Sequence, residues 1–129
     1  MAKDDERAAG LERGGWKDSM LGGKPRLSLI APEALLALGR VLTYGAAKYR
    51  PHNWRGGMPW SEIADALLRH VTAFLGGEDR DPESGELHMA HALCNAMFLV
   101  AYQVRGAGTD DRWRPPVPDA APGRTDDKP

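Results

Sequence analysis

Residues 61–76 read SEIADALLRHVTAFLG and residues 86–105 read ELHMAHALCNAMFLVAYQVR. In the first run Ile63, Leu67, His70 and Phe74 recur at helical spacing behind Ser61, whose hydroxyl suits an N-cap, and Gly76 and Gly77 stop it. The second run keeps a helical period until Gly106 and Gly108. The spacing therefore predicts helices over about 61–76 and 86–105, joined by a polar, turn-rich connection. Upstream, Pro32 sits where a first-turn proline belongs, and Leu35, Leu38, Leu42 and Tyr49 extend a third helical pattern over about 32–49. No segment alternates as a strand does. The expected fold is all-α, a helical bundle with about three main helices per chain.

The two ends of the chain differ from this centre. Residues 1–23 are charged and glycine-spotted, and residues 106–129 are rich in proline and glycine, so both read as arms with too little apolar surface to order themselves. That leaves residues 24–105 as the domain. Small domains bury a smaller fraction of their surface, so the expected remedy is a homo-oligomer, dimer or tetramer, that completes the bundle.

Charge and composition exclude several classes of partner. Lys plus Arg total 17 against 18 Asp plus Glu, a net charge of −1, which provides no bulk field for a nucleic acid polymer or an anionic membrane. Apolar runs such as 92–101 are well short of the roughly 20 residues that span a bilayer. The N-terminal residues lack the apolar segment of a signal peptide, and the single cysteine, Cys94, excludes an internal disulfide. The expected location is the cytoplasm.

Three groups of residues carry potential chemistry. Glu62 and Asp65 share one stripe of the second helix, where they can hold a divalent cation or simply form a solvated, dipole-favoured helix end. His88, His91, Asn95, Phe98 and Tyr102 share one face of the third helix, and His-x-x-His can ligate a metal if Asp65, Asp79, Asp81, Glu83 or His70 completes the set. Taken alone, His70 reads as a satisfied core histidine amid apolar neighbours. The joint 44–60, YGAAKYRPHNWRGGMPW, concentrates Tyr44, Lys48, Asn53, Trp54 and Arg55 in a chain with few aromatics. These side chains can stack on a base, read its edge and pair with phosphate, or Trp54 and Trp60 can clasp the loop to the bundle. Lys24 and Arg26 add two cations ahead of the first helix.

The runs KPRLSLIAPEALLAL at 24–38, YGAAKY at 44–49, NW at 53–54, GMPW at 57–60, DALLRH at 65–70, GED at 77–79, ESG at 83–85 and HMAHALCN at 88–95 resemble the phage-type dATP/dGTP diphosphohydrolases. The resemblance covers about residues 24–102. It implies kinship with the MazG-like all-α pyrophosphohydrolases, oligomeric enzymes that use Mg2+ or Mn2+ to cleave a nucleoside triphosphate between the α and β phosphates. It also implies a role in nucleotide-pool remodelling and a host-cytoplasmic location. In that group an acidic Glu-x-x-Glu is followed by Glu-x-x-Asp; Glu62-x-x-Asp65 matches the first, whereas His88-x-x-His91 stands in the place of the second.

By this resemblance Glu62 and Asp65 are the expected metal ligands, with His88 and His91 as the accompanying catalytic pair. Lys24, Arg26, Lys48 and Arg55 are the expected phosphate contacts, and Tyr44, Asn53, Trp54 and Asn95 the remaining substrate-binding residues. Imidazoles where acids are expected leave a second reading open: a protein of this fold that sequesters a nucleotide without hydrolysing it.

Overall fold

The structure, a computed structural model, describes residues 23–118. The arm expected over 1–23 lies outside the described residues except for Gly23, as do residues 119–129 of the expected tail. The chain divides into two compact units, Met1–Leu36 and Ala37–Pro129. The three expected helices are present: α1 at Pro32–Lys48, α2 at Trp60–Leu75 and α3 at His88–Arg105. Among the described residues there are no strands, only two isolated bridges, Pro59 to Thr109 and Arg80 to Leu87. No described helix is long and apolar enough to cross a membrane.

In the first unit, Leu27–Leu29 form a short 3-10 turn closed by hydrogen bonds from Leu29 N to Arg26 O and from Ile30 N to Leu27 O. The first turn of α1 follows, with Glu33 favourably placed at the positive end of the helix dipole. The boundary between the units falls within α1.

In the second unit α2 and α3 form the principal packed pair. Ala37 and Val41 of α1 meet Ala90 and Cys94 of α3, flanked by Leu38, Leu42 and Phe98. Ile63 supplies a buried residue from α2, and Tyr102 is the largest side chain removed almost completely from solvent. Leu68, Phe74 and Leu75 on α2, and Leu93, Val100 and Val104 on α3, remain exposed. The core is thin, as the length of the domain leads one to expect.

The start of α2 departs from the sequence reading. The helix begins at Trp60, and Ser61 is not its N-cap. Instead, Asp111 reaches across from the far end of the chain: its Oδ1 accepts the Ser61 amide hydrogen at 2.9 Å and its Oδ2 accepts the Ser61 hydroxyl at 2.5 Å. Residues 107–112 of the expected tail are thus bound to the fold. Trp60 N donates to Thr109 O at 2.9 Å, the Trp60 indole donates to Ala107 O at 3.0 Å, and the Arg112 guanidinium sits 4.9 Å from the Trp60 ring centre. Two glycines make the approach possible. A Cβ on Gly108, φ 72°, would lie 2.5 Å from Met58 O, and one on Gly57, φ 93°, would lie 2.8 Å from Gly108 N.

Candidate functional site

The segment between α2 and α3 is a closed bracket. Gly77, φ 95°, turns the chain out of α2, and the Glu78 amide bonds back to Ala73 O. Asp81 N donates to Glu86 O at 2.9 Å, Gly85 N donates to Asp81 O at 2.7 Å, and His88 N donates to Asp79 O at 2.9 Å. Side chains tighten the bracket further. Asp81 Oδ1 accepts the Glu83 amide hydrogen at 2.7 Å, and Ser84 Oγ accepts that of Glu86 at 3.1 Å. A polar stretch of the sequence thereby becomes a rigid holder that presents acids beside the first turn of α3.

Three histidines gather there. His70 from α2 stacks on His91 from α3 with ring centres 4.5 Å apart and planes 6° from parallel, and His88 lies 5.2 Å from His70. The Nδ1 atoms of His70 and His88 are 2.9 Å apart. The Nε2–H of His88 donates to Glu78 Oε1 at 2.7 Å, so a neutral His88 presents Nδ1 as a lone pair. His88 is only 4% exposed, and its polar partners account for a buried imidazole. His91 Nε2 shares a 2.7 Å hydrogen bond with Ser84 Oγ. Burial holds both His70 and His91 below the ordinary imidazole range, and the neighbouring imidazoles reinforce this for each ring. That shift favours the neutral imidazole, the form that ligates a metal or accepts a proton.

Beside this cluster lies a cavity of about 810 Å3 between α1, the 3-10 turn Asn53–Gly56 and α3. Tyr44, Lys48, Asn53, Trp54, Arg55, His91 and Asn95 all line it, together with His70, Asp81 and Glu83. On one wall Glu83 Oε2 accepts hydrogen bonds from the Tyr44 hydroxyl and from Lys48 Nζ, each at 2.5 Å. Lys48 holds the Glu83 carboxyl below the usual carboxylate range, while Glu83 pushes the Lys48 ammonium and the Tyr44 phenol upward. Also lining the cavity, His52 adopts left-handed backbone, φ 62°, and its Nδ1 accepts from Arg55 Nε at 2.8 Å. Only a small minority of non-glycine residues take that conformation.

Trp54 is engaged in packing. Its ring stacks on Phe98 at 4.8 Å, the guanidinium groups of Arg55 and Arg105 lie over it, and its carbonyl accepts the Tyr102 hydroxyl at 2.6 Å. Of the clasp considered from the sequence, Trp54 thus packs the joint on α3, whereas Trp60 begins α2 and bonds residues 107–112.

The expected residues fall into three places. Seven of the substrate-facing and catalytic candidates share the cavity wall, and His88 is buried in the adjoining cluster. Glu62 and Asp65 are exposed on α2 and are not among the cavity-lining residues; Asp65 lies in a shallow depression with Leu68, Arg69, Thr72 and Ala73. Lys24 and Arg26 are exposed residues of the first unit. Two participants escaped the sequence reading: Glu78 and Ser84, which bond His88 and His91. His70, read from the sequence either as a core histidine or as a further ligand, lies in this polar cluster. The only available signal was the bracket's density of acids close to His88-x-x-His91.

Among the described residues one group of histidines and acids has metal-binding geometry: a donor atom from each of His70, Asp81 and His88, all within 4.8 Å of one another. Two nitrogens and one oxygen, held by three different parts of the fold, fit a divalent ion.

Comparison with known proteins agrees with the motifs. A curated relative from Salmonella phage PMBT28, described as a dATP/dGTP diphosphohydrolase, is 38% identical over 97 residues, which is 74% of this chain and 33% of the relative. The chain thus spans about a third of that relative's length. No solved structure matches. The family model for the N-terminal domain of dATP/dGTP diphosphohydrolases matches residues 15–112, which include every residue of the cavity wall and the histidine cluster, and the chain belongs to this family.

Proposed function

We propose that this chain hydrolyses purine deoxynucleoside triphosphates, dATP and dGTP, between the α and β phosphates, releasing a monophosphate and pyrophosphate, and so remodels a nucleotide pool. The observation that carries this reading is the family match, which spans the entire cavity beside the histidine cluster. The cavity's size lies within the roughly 300–1,000 Å3 that small-molecule sites occupy.

Each wall then has a task. Lys48 and Arg55 supply the cations for the phosphates, and the Glu83 and His52 side chains orient them before substrate arrives. Tyr44, Asn53 and Asn95 supply the hydroxyl and amides for the nucleoside. His91, kept neutral by burial and tied to Ser84, is in the form that takes a proton from an attacking water. The water oxygen bonds to the α-phosphorus, and the bond from that phosphorus to the α–β bridging oxygen breaks. A bound divalent ion would supply charge neutralisation and acidify that water. The exposed apolar side chains of α2 and α3 support assembly as a homo-oligomer.

The test is incubation of the protein with ribo- and deoxynucleoside triphosphates plus Mg2+ or Mn2+, with the products resolved by chromatography. Monophosphate and pyrophosphate from dATP and dGTP are expected. Tight binding with unchanged nucleotide would replace hydrolysis by sequestration.

A further inference from the structure

We propose that His70, Asp81 and His88 form a transition-metal centre, with Glu78 as the outer carboxylate that orients His88. The three ligands come from α2, the bracket and α3, so the centre ties these three elements together. Each is fixed before any ion arrives. Asp81 is held through Oδ1 by the Glu83 amide and through its backbone by Glu86 and Gly85. His88 is buried and locked by Glu78, the carboxylate–histidine arrangement that sets the tautomer of a metal-bound imidazole and directs its other nitrogen to the ion.

The contact between the two Nδ1 atoms supports the same reading. Because the Nε2–H of His88 is committed to Glu78, its Nδ1 accepts in the 2.9 Å contact and His70 donates its Nδ1 proton. Ligation through both Nδ1 atoms moves that one proton to Nε2 of His70, so both rings ligate as neutral imidazoles and no electron changes hands.

The donor set decides the class of ion. Mg2+ favours oxygen ligands and retains waters, whereas two imidazoles and a carboxylate suit Mn2+, Co2+ or Zn2+. Three protein ligands leave positions open, the pattern of a site that also holds water or a phosphate oxygen. His70 and Asp81 face the cavity, so such an oxygen would come from its occupant. This centre is separate from the exposed Glu62 and Asp65 pair. It deepens the reading of the cavity as a triphosphate site, yet its test requires no turnover.

Chelator-stripped protein is titrated with Co2+ in the absence of nucleotide and followed by visible absorption. One Co2+ per chain with d–d bands is expected, abolished by Zn2+ and unaffected by excess Mg2+. Glu78→Gln should weaken Co2+ affinity about 10–100-fold. Asp81→Asn and His70→Gln, at half-buried positions, should abolish the bands in protein whose circular dichroism stays helical. Glu62→Gln and Asp65→Asn should leave the bands intact. Folded wild-type protein that takes up neither Co2+ nor Zn2+ would overturn the centre, even if dATP is hydrolysed with Mg2+. Bands lost in the Glu62 and Asp65 variants but kept in the Asp81 and His70 variants would overturn it too. Metal uptake without hydrolysis would support the centre and count against the proposed activity alone.

Discussion

Asp111 caps α2 from outside the helix: one carboxylate oxygen accepts the Ser61 amide hydrogen and the other accepts the Ser61 hydroxyl. A residue from beyond α3 thereby does what an N-cap side chain usually does locally. The hydrogen bonds from Ser61 hold the Asp111 carboxyl below its ordinary range. A carboxyl whose folded-state value is depressed contributes stability above the unfolded-state value and loses it as pH falls through the folded-state value. The strap at 107–112 should therefore loosen in acid. Amide exchange at Ser61 and Glu62 should accelerate as pH falls through the acid range relative to intrinsic rates, and Asp111→Asn should remove most of that pH dependence.

Gly108 and Gly106 separate strain from collision. Both have positive φ, 72° and 67°, but only at Gly108 would a Cβ strike a backbone oxygen. Gly106→Ala should lower stability by about 1 kcal/mol, the cost of a side chain in left-handed backbone. Gly108→Ala should cost more, toward about 3 kcal/mol, and should also release the strap. Urea denaturation of the two variants in parallel measures the difference.

Tyr102 is 1% exposed, and its hydroxyl donates to the Trp54 carbonyl. Tyr102→Phe keeps the ring and leaves that carbonyl without its donor, at a cost of about 1–3 kcal/mol. Because this hydrogen bond ties the 3-10 turn to α3, thermal melts should shift down while the helical circular dichroism at low temperature is retained.

Cys94 is buried between α1 and α3, and burial pushes its thiol up to about 11. At neutral pH it is a thiol rather than the reactive thiolate. An aromatic disulfide reagent should label it slowly in the native protein and rapidly once urea unfolds the chain. Fast labelling of the native state would contradict the packing.

Lys48 bears on the proposed activity. Lys48→Met should raise KM for dATP about tenfold or more, the effect of losing one charge-assisted hydrogen bond. Part of that effect comes from leaving Glu83 as an unpaired anion beside the phosphates. The double variant Lys48→Met, Glu83→Gln should recover some affinity, which a purely structural role for the pair would not produce.

The sequence by itself determined the helices. Leucine and alanine spacing, Pro32 at a first turn and glycines at the stops act within a few residues of each other, and such local terms are legible in one dimension. It also carried the motifs that place the chain in its family, and it marked Tyr44, Lys48, Asn53, Trp54, Arg55, His91 and Asn95, which the fold assembles around one cavity. Tertiary structure alone decided the pairings over distance. It set Asp111 on Ser61, Glu83 on Lys48, and His70 against His88 and His91, and it left Glu62 and Asp65 exposed on α2 away from that cavity. Helical period states which residues share a face, but the rotation of each helix about its axis is fixed by packing. Here that rotation turned His70 inward to the polar cluster and the acidic pair outward to solvent.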